Sequence, residues 1–194
     1  MMQNFQTLKA YDYISPAIAK ANGISKASFY KFVRDNAFEK AAHGIYTASD
    51  NFVDDLYILH QRCPQAVFSH DEAFYYYGLT DRESIIHTLT IYSGYNSHRL
   101  TAEGKCKVYT VKKELLNLGK ITVTDYYGNK VPMYDIDRTL CDLIRSRNSI
   151  EIQDFKSVLT TYVTRKEKNL YNLAEYAKQF KILNIIQKYM EILL

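Results

Sequence analysis

The stretch "SPAIAKANGISKASFYKFV", residues 15 to 33, limits the possible folds more than any other part of the chain. Ser15-Pro16 supplies a capping hydroxyl followed by proline at the first helical position, where a missing N–H costs nothing. Ile18 and Ala21 continue one apolar face, and Gly23 stops the helix as a residue that tolerates the left-handed turn. Ser25 caps a second helix whose apolar face is Phe29, Phe32 and Val33. Ala19 at the crossing, Gly23 and Ile24 at the corner, and the two phenylalanines fall at helix-turn-helix spacing. Asn22 departs from the pattern, because an apolar residue is commoner just before the glycine.

At about 100° per residue, Ala27, Lys31 and Arg34 point away from the phenylalanine face, with Lys26 and Tyr30 flanking them. Small, aromatic and cationic groups along the start and middle of a second helix suit the major groove of DNA. The Ser25 end also offers free N–H groups to a phosphate. "FEKAAHGIYTA" then reads as two short strands around a turn at Ala42-His43-Gly44. That hairpin stands where a winged helix-turn-helix carries its wing, with Lys40 and His43 near the tip and Lys40 supplying charge for the backbone. The competing reading of Lys31 and Arg34 is a solvated helix face. The agreement of caps, corner and hairpin favours DNA contact by Ser25, Lys26, Ala27, Tyr30, Lys31, Arg34, Lys40 and His43.

Charge supports this placement only by its distribution. The net +4 over 194 residues is too modest to identify a nucleic-acid partner. Residues 1–46 carry six Lys/Arg against three Asp/Glu, residues 47–150 twelve against thirteen, and residues 151–194 seven against five. Both ends are basic and the middle is neutral. Arg165, Lys166, Lys168, Lys178, Lys181 and Lys188, in or near the last helices, either extend a DNA footprint or solvate helix faces.

The N-terminal pattern is complete by residue 48. The expected organisation is a winged helix-turn-helix over 1–48 and a mixed α/β domain with a helical C-terminal tail over 49–194, an α+β chain overall. Within the second part, Phe52 to Cys63 reads as a helix ended by Pro64. Ser69 with Glu72 three residues on is a capping-box signature for an aromatic helix reaching Tyr77 and stopped by Gly78. "HTLTIY", "KCKVYTV" and "KITVTDYYGNKVPMYD" read as strands, the last with Gly128-Asn129 as a two-residue hairpin turn. From Asp137 onward the periodicity is helical. The absence of a long apolar run or signal-like N-terminus leads to the expectation of a cytoplasmic protein without a membrane partner. Cys63, Cys106 and Cys141 are odd in number and lack a CxxC pair, which suits buried reduced thiols.

The chain resembles the AbiEi-type antitoxins of bacterial abortive-infection (type IV toxin–antitoxin) systems. The resemblance lies in "ISPAIAKANGISKASFYKFVRDNAFEKAAHGIYTA", in "FSHDEAFYYYGLTD" and in "DIDRTLCDLI", in that order across nearly the full length. It implies a DNA-binding repressor of its own operon, acting on inverted repeats in the promoter with two copies per operator. It also implies a functional antagonist of a nucleotidyltransferase-like toxin encoded beside it, with an antitoxin function in the second domain. No enzyme activity and no cofactor are expected. A protein-interaction module with incidental DNA contact is the alternative, and a metal-dependent nuclease a more distant one.

Other constellations carry less. Ser69-His70-Asp71 suggests a catalytic triad, but consecutive residues opening a helix point about 100° apart, which argues for capping and packing. Glu103-Gly104-Lys105, with Asp81 or Asp125, is a short match to a nuclease metal site, and glycine is a poor strand residue. Arg138 and Asp142, four apart, are expected to orient a helix, a pair worth about 0.3–0.5 kcal/mol when exposed. No metal site is expected.

Overall fold

Local signals in residues 15 to 48 are realised almost as the chain writes them. The computed structural model describes residues 3–48, 53–102 and 104–193. Helix α1 (Gln3–Lys9) leads into a two-residue strand β1 (Tyr13–Ile14). Ser15 caps α2 (Pro16–Ala21), its Oγ accepting from the Ile18 amide at 3.3 Å. Gly23 turns the chain at φ 72°, and Ser25 caps α3 (Lys26–Asp35). Strands β2 (Phe38–Ala42) and β3 (Ile45–Ala48) follow as an antiparallel hairpin, and β1 adds to the far side of β3, giving the order β1-β3-β2. Leu8, Ile14, Ala19, Ile24, Phe29, Phe32 and Val33 form the core, with Phe5 stacked on Phe32 at 5.4 Å.

This first compact unit runs through residue 62, past the boundary expected at 48/49. Helix α4 (Asp55–Arg62) belongs to it. Ile58 packs with Tyr13 and Ile45, and the Asp54 amide donates to the Tyr13 hydroxyl at 2.7 Å. Composition carries no trace of that long-range anchor. Phe52, the expected start of this helix, lies outside the described residues.

The second unit, residues 63–194, is a mixed sheet with helices, so α+β describes the chain. Its strands are β4 (Val67–Phe68), β5 (His87–Tyr92), β6 (Cys106–Val111), β7 (Lys120–Thr124) and β8 (Lys130–Tyr134), in the order β6-β5-β4-β8-β7. Pairs β4/β8 and β5/β6 are parallel, and β4/β5 and β7/β8 antiparallel. The expected two-residue turn at Gly128-Asn129 is a five-residue loop, because Thr124 pairs with Lys130. Asp125 organises it, its Oδ1 accepting from the amides of Tyr127 at 2.9 Å and Asn129 at 2.8 Å.

Helices α5 (Asp71–Tyr76), α6 (His98–Thr101), α7 (Ile136–Arg145), α8 (Ile152–Thr164), α9 (Leu170–Gln179) and α10 (Leu183–Leu193) complete this unit. Phe74, Leu79, Leu140, Leu143, Val158, Leu159, Leu173 and Ile186 share one core. The half-buried aromatic helix is present as expected, with the Tyr77 hydroxyl donating to the Tyr134 carbonyl at 2.8 Å. Its expected capping box is not. His70, at φ 52°, occupies the cap position, while Glu72 binds the His87 ring at 2.8 Å. His70 Nδ1 lies 3.0 Å from Ser69 Oγ and Nε2 3.0 Å from Ser146 Oγ, so the ring contacts Ser69 but its second nitrogen is taken by Ser146 and not by Asp71. Ser69 is nevertheless wholly buried, with its other contact to Thr90 Oγ1 at 2.8 Å.

Helix α7 is buried on every side from Ile136 to Ile144. Arg138 and Asp142 do pair as their spacing allows, at 3.3 Å, and both are 0% exposed, so the magnitude for an exposed pair does not apply. Arg138 Nη1 donates to the carbonyls of Leu115 at 3.0 Å and Leu118 at 2.6 Å. Its guanidinium lies between the rings of Tyr134 and Phe180, at 3.9 and 4.3 Å. The three cysteines are buried. Among the described residues no helix is long and apolar enough to cross a membrane.

Candidate nucleic-acid interface

Helix α3 is amphipathic for a simple reason: its apolar residues recur at positions 29, 32 and 33, so one side sinks into the core. The opposite side is open. Ser25, Lys26, Ala27, Tyr30, Lys31 and Arg34 are all exposed. Ser25 Oγ accepts from the Ser28 amide at 3.2 Å and donates to Ser28 Oγ at 2.9 Å. That cap leaves the amides of Lys26 and Ala27 in the first turn, where no helical carbonyl reaches them. An anion approaching this end meets those N–H groups and the positive end of the helix dipole.

Side chains cap the helix on each side of the corner, Asn22 the end of α2 and Ser25 the start of α3. Asn22 Nδ2 donates to the Ile18 carbonyl at 2.9 Å, a C-terminal cap for α2. This explains why a polar residue is accommodated beside Gly23. The Ile24 amide bonds the Ala19 carbonyl at 2.8 Å, drawing α3 close against the small residue on α2. At the far end, Asn36 Nδ2 donates to the Phe32 carbonyl at 2.9 Å.

The hairpin is tied to α3 by aromatic edges. Tyr46 on β3 meets Phe29 at 5.7 Å and Tyr30 at 6.2 Å, both edge-on. Burial, with the neighbouring Tyr30, pushes the Tyr46 phenol above its ordinary value. Lys40 lies directly across from Tyr46 in the register, which puts the two side chains on one face of the hairpin. That is the face in contact with Tyr30. His43 is exposed in the turn, with Gly44 at φ 75°. Tyr46 is the residue that sequence reasoning missed here. The two-residue period of a strand was its available signal: with Ile45 turned inward, Tyr46 falls on the opposite face.

The C-terminal cations divide differently. Arg165 Nη2 donates to the Tyr77 carbonyl at 2.7 Å and also to that of Gly78, closing the end of α5. Lys168 Nζ bonds the Val163 and Arg165 carbonyls, each at 2.8 Å, closing the end of α8. Lys178 pairs with Glu175 at 2.6 Å. These three are engaged locally, whereas Lys166, Lys181 and Lys188 are exposed.

For the nuclease reading, Glu103 lies outside the described residues. Asp125 is the loop organiser described above. Among the described residues no group of three or more His, Cys, Asp or Glu side chains is arranged to hold a metal ion. No protein-family model matches the sequence, and no curated protein matches it.

Proposed function

We propose that residues 1–62 form a winged helix-turn-helix that reads DNA with the open side of α3, and that the chain represses its own operon. The observation that supports this best is the exposed face Lys26-Ala27-Tyr30-Lys31-Arg34, braced by Tyr46 to a hairpin that presents Lys40 beside it. Lys31 and Arg34 reach base edges, Lys26 and the first-turn amides take a phosphate, and Lys40 holds the flanking backbone. His43 at the turn adds to that backbone contact. An inverted-repeat promoter site would bind two copies.

The second half of the proposal is an antitoxin role, in the cytoplasm, against a nucleotidyltransferase-like toxin encoded next to this chain. Its support is the resemblance to AbiEi-type antitoxins in the three stretches quoted above. Two of these meet in the second unit, where Phe74 and Leu79 share a core with Leu140 and Leu143. His70 Nε2 reaches Ser146 Oγ, just beyond "DIDRTLCDLI", at 3.0 Å.

Fluorescence anisotropy with the chain's own upstream promoter tests the first half. Lys31→Glu or Arg34→Glu is expected to abolish specific binding and leave the thermal melt unchanged, since both side chains are exposed. Undiminished binding by these variants would refute the assignment of α3. Co-expression with the neighbouring gene product tests the second half, with restored growth as the expected outcome.

A further inference from the structure

The second unit contains an open cleft of about 400 Å³ that plays no part in the DNA-binding proposal. This volume lies at the small end of the roughly 300–1,000 Å³ range of ligand pockets. Phe74, Ile150 and Val158 make its floor. Four carboxylates line it (Asp71, Glu83, Glu151 and Asp154) against two cations, Arg82 and Lys107. Arg82 is already neutralised, by Asp154 at 3.2 Å and Glu151 at 3.9 Å. Lys107 sits over the Tyr109 ring, 5.1 Å from its centre. The cleft therefore keeps an excess of negative charge above an apolar floor.

Asp71 opens α5, and its half-buried side chain lines the cleft. Burial pushes its carboxyl above the ordinary value, with Lys107 pulling the other way. A half-desolvated carboxylate of this kind gains most from a cation that brings its own donors. At the mouth, Ile85 is 99% exposed and Ile86 is also exposed, forming apolar surface that continues outward from the cleft.

We infer that this cleft receives an arginine or lysine side chain presented by a partner polypeptide. The aliphatic stem lies on Phe74, Ile150 and Val158, the charged head faces Asp71, and the flanking residues of the partner cover Ile85 and Ile86. A free amine or guanidine satisfies only the first two of these features and leaves both isoleucines in water. The occupant is therefore a polypeptide segment with apolar neighbours around its cation, and an anionic ligand is disfavoured by the charge balance.

Two-dimensional NMR of the full-length chain, titrated with N-acetyl-Val-Arg-Val-amide, tests this. Saturable shifts at Asp71, Phe74 and Ile85 are expected. The neutral citrulline analogue should bind about tenfold more weakly, as should the arginine peptide to Asp71→Asn, the scale of one charge-assisted hydrogen bond. Ile85→Ser, at a fully solvated position, should weaken the peptide and leave agmatine (the free guanidine) unchanged. Absence of saturable shifts, equal binding of the citrulline peptide, or full affinity in Asp71→Asn overturns the site. Agmatine binding as tightly as the peptide overturns the polypeptide as its source. The wild-type citrulline comparison and Ile85→Ser decide the matter even if Asp71→Asn misfolds.

Discussion

Two buried polar side chains are the most consequential single residues in the second unit. His70 is 1% exposed, stacked on Tyr109 at 3.4 Å and held by Ser69 and Ser146. Burial pulls its imidazole down from 6.5 to about 4, with Asp142 opposing and Arg145, Arg138 and Lys107 reinforcing the drop. The unfolded chain thus takes up a proton below about pH 6.5 that the folded chain refuses until about pH 4. Stability present above pH 6.5 is lost as the pH falls through that window, by roughly 3 kcal/mol in total. Urea melts at pH 7 and pH 4.5 should show this loss, and His70→Asn should reduce it. Arg138 is the second case. Arg138→Ala removes one of the two guanidinium partners of buried Asp142 (Arg145 at 2.8 Å remains), loses two carbonyl contacts and empties the space between Tyr134 and Phe180, and should cost about 3–5 kcal/mol. Arg138→Lys should be almost as damaging, because a compact ammonium cannot hold the Asp142 carboxylate and two carbonyls at once while stacking between two rings. Gly119, at φ 71°, lies against this stem: an added Cβ would sit 2.5 Å from the Cβ of Arg138. Denaturant midpoints of the variants measure each effect.

At the level of elements, the segments most legible in the sequence are those built from local chemistry. Ser15, Pro16, Gly23 and Ser25 mark the ends of α2 and α3 by capping and backbone preference alone, without help from distant residues. Gly23→Ala should therefore cost about 1–2 kcal/mol in a thermal melt through the strain of a left-handed alanine. Elements set by distant partners were not legible. Strands β1 and β4 have two residues each, too few for any period to show. Ser69 and Glu72 carry capping-box spacing, yet packing of His70 against Tyr109 and Ser146 sets the helix start one residue later. At Gly128-Asn129 the favoured turn dipeptide is outweighed by the carboxylate of Asp125, which collects two amides and holds a wider loop.

For the whole molecule, charge and burial are the quantities that sequence position transmits least well. The spacing of Arg138 and Asp142 shows that they can pair but not that both leave water, since burial is a product of the assembled helices around α7. The exposed face of α3 was legible, because a helix with one phenylalanine side has only one place for its cations. If Lys26 and Lys40 each neutralise a phosphate while Lys31 and Arg34 read base edges, the log–log salt dependence of binding should have a slope of about −1.8 per bound copy. A markedly steeper slope that relaxes in Lys166→Ala/Lys188→Ala would bring the C-terminal cations into the footprint.

The clasp between the Tyr13 phenol and the Asp54 amide also bears on how the chain can be dissected. A scissile point after residue 48 would detach α4 from β1, leaving a phenol oxygen without its donor and the seat of Ile58 empty. Deletion experiments at that point would report a damaged scaffold as though it were a lost binding surface. Cuts after residue 62 respect the natural seam.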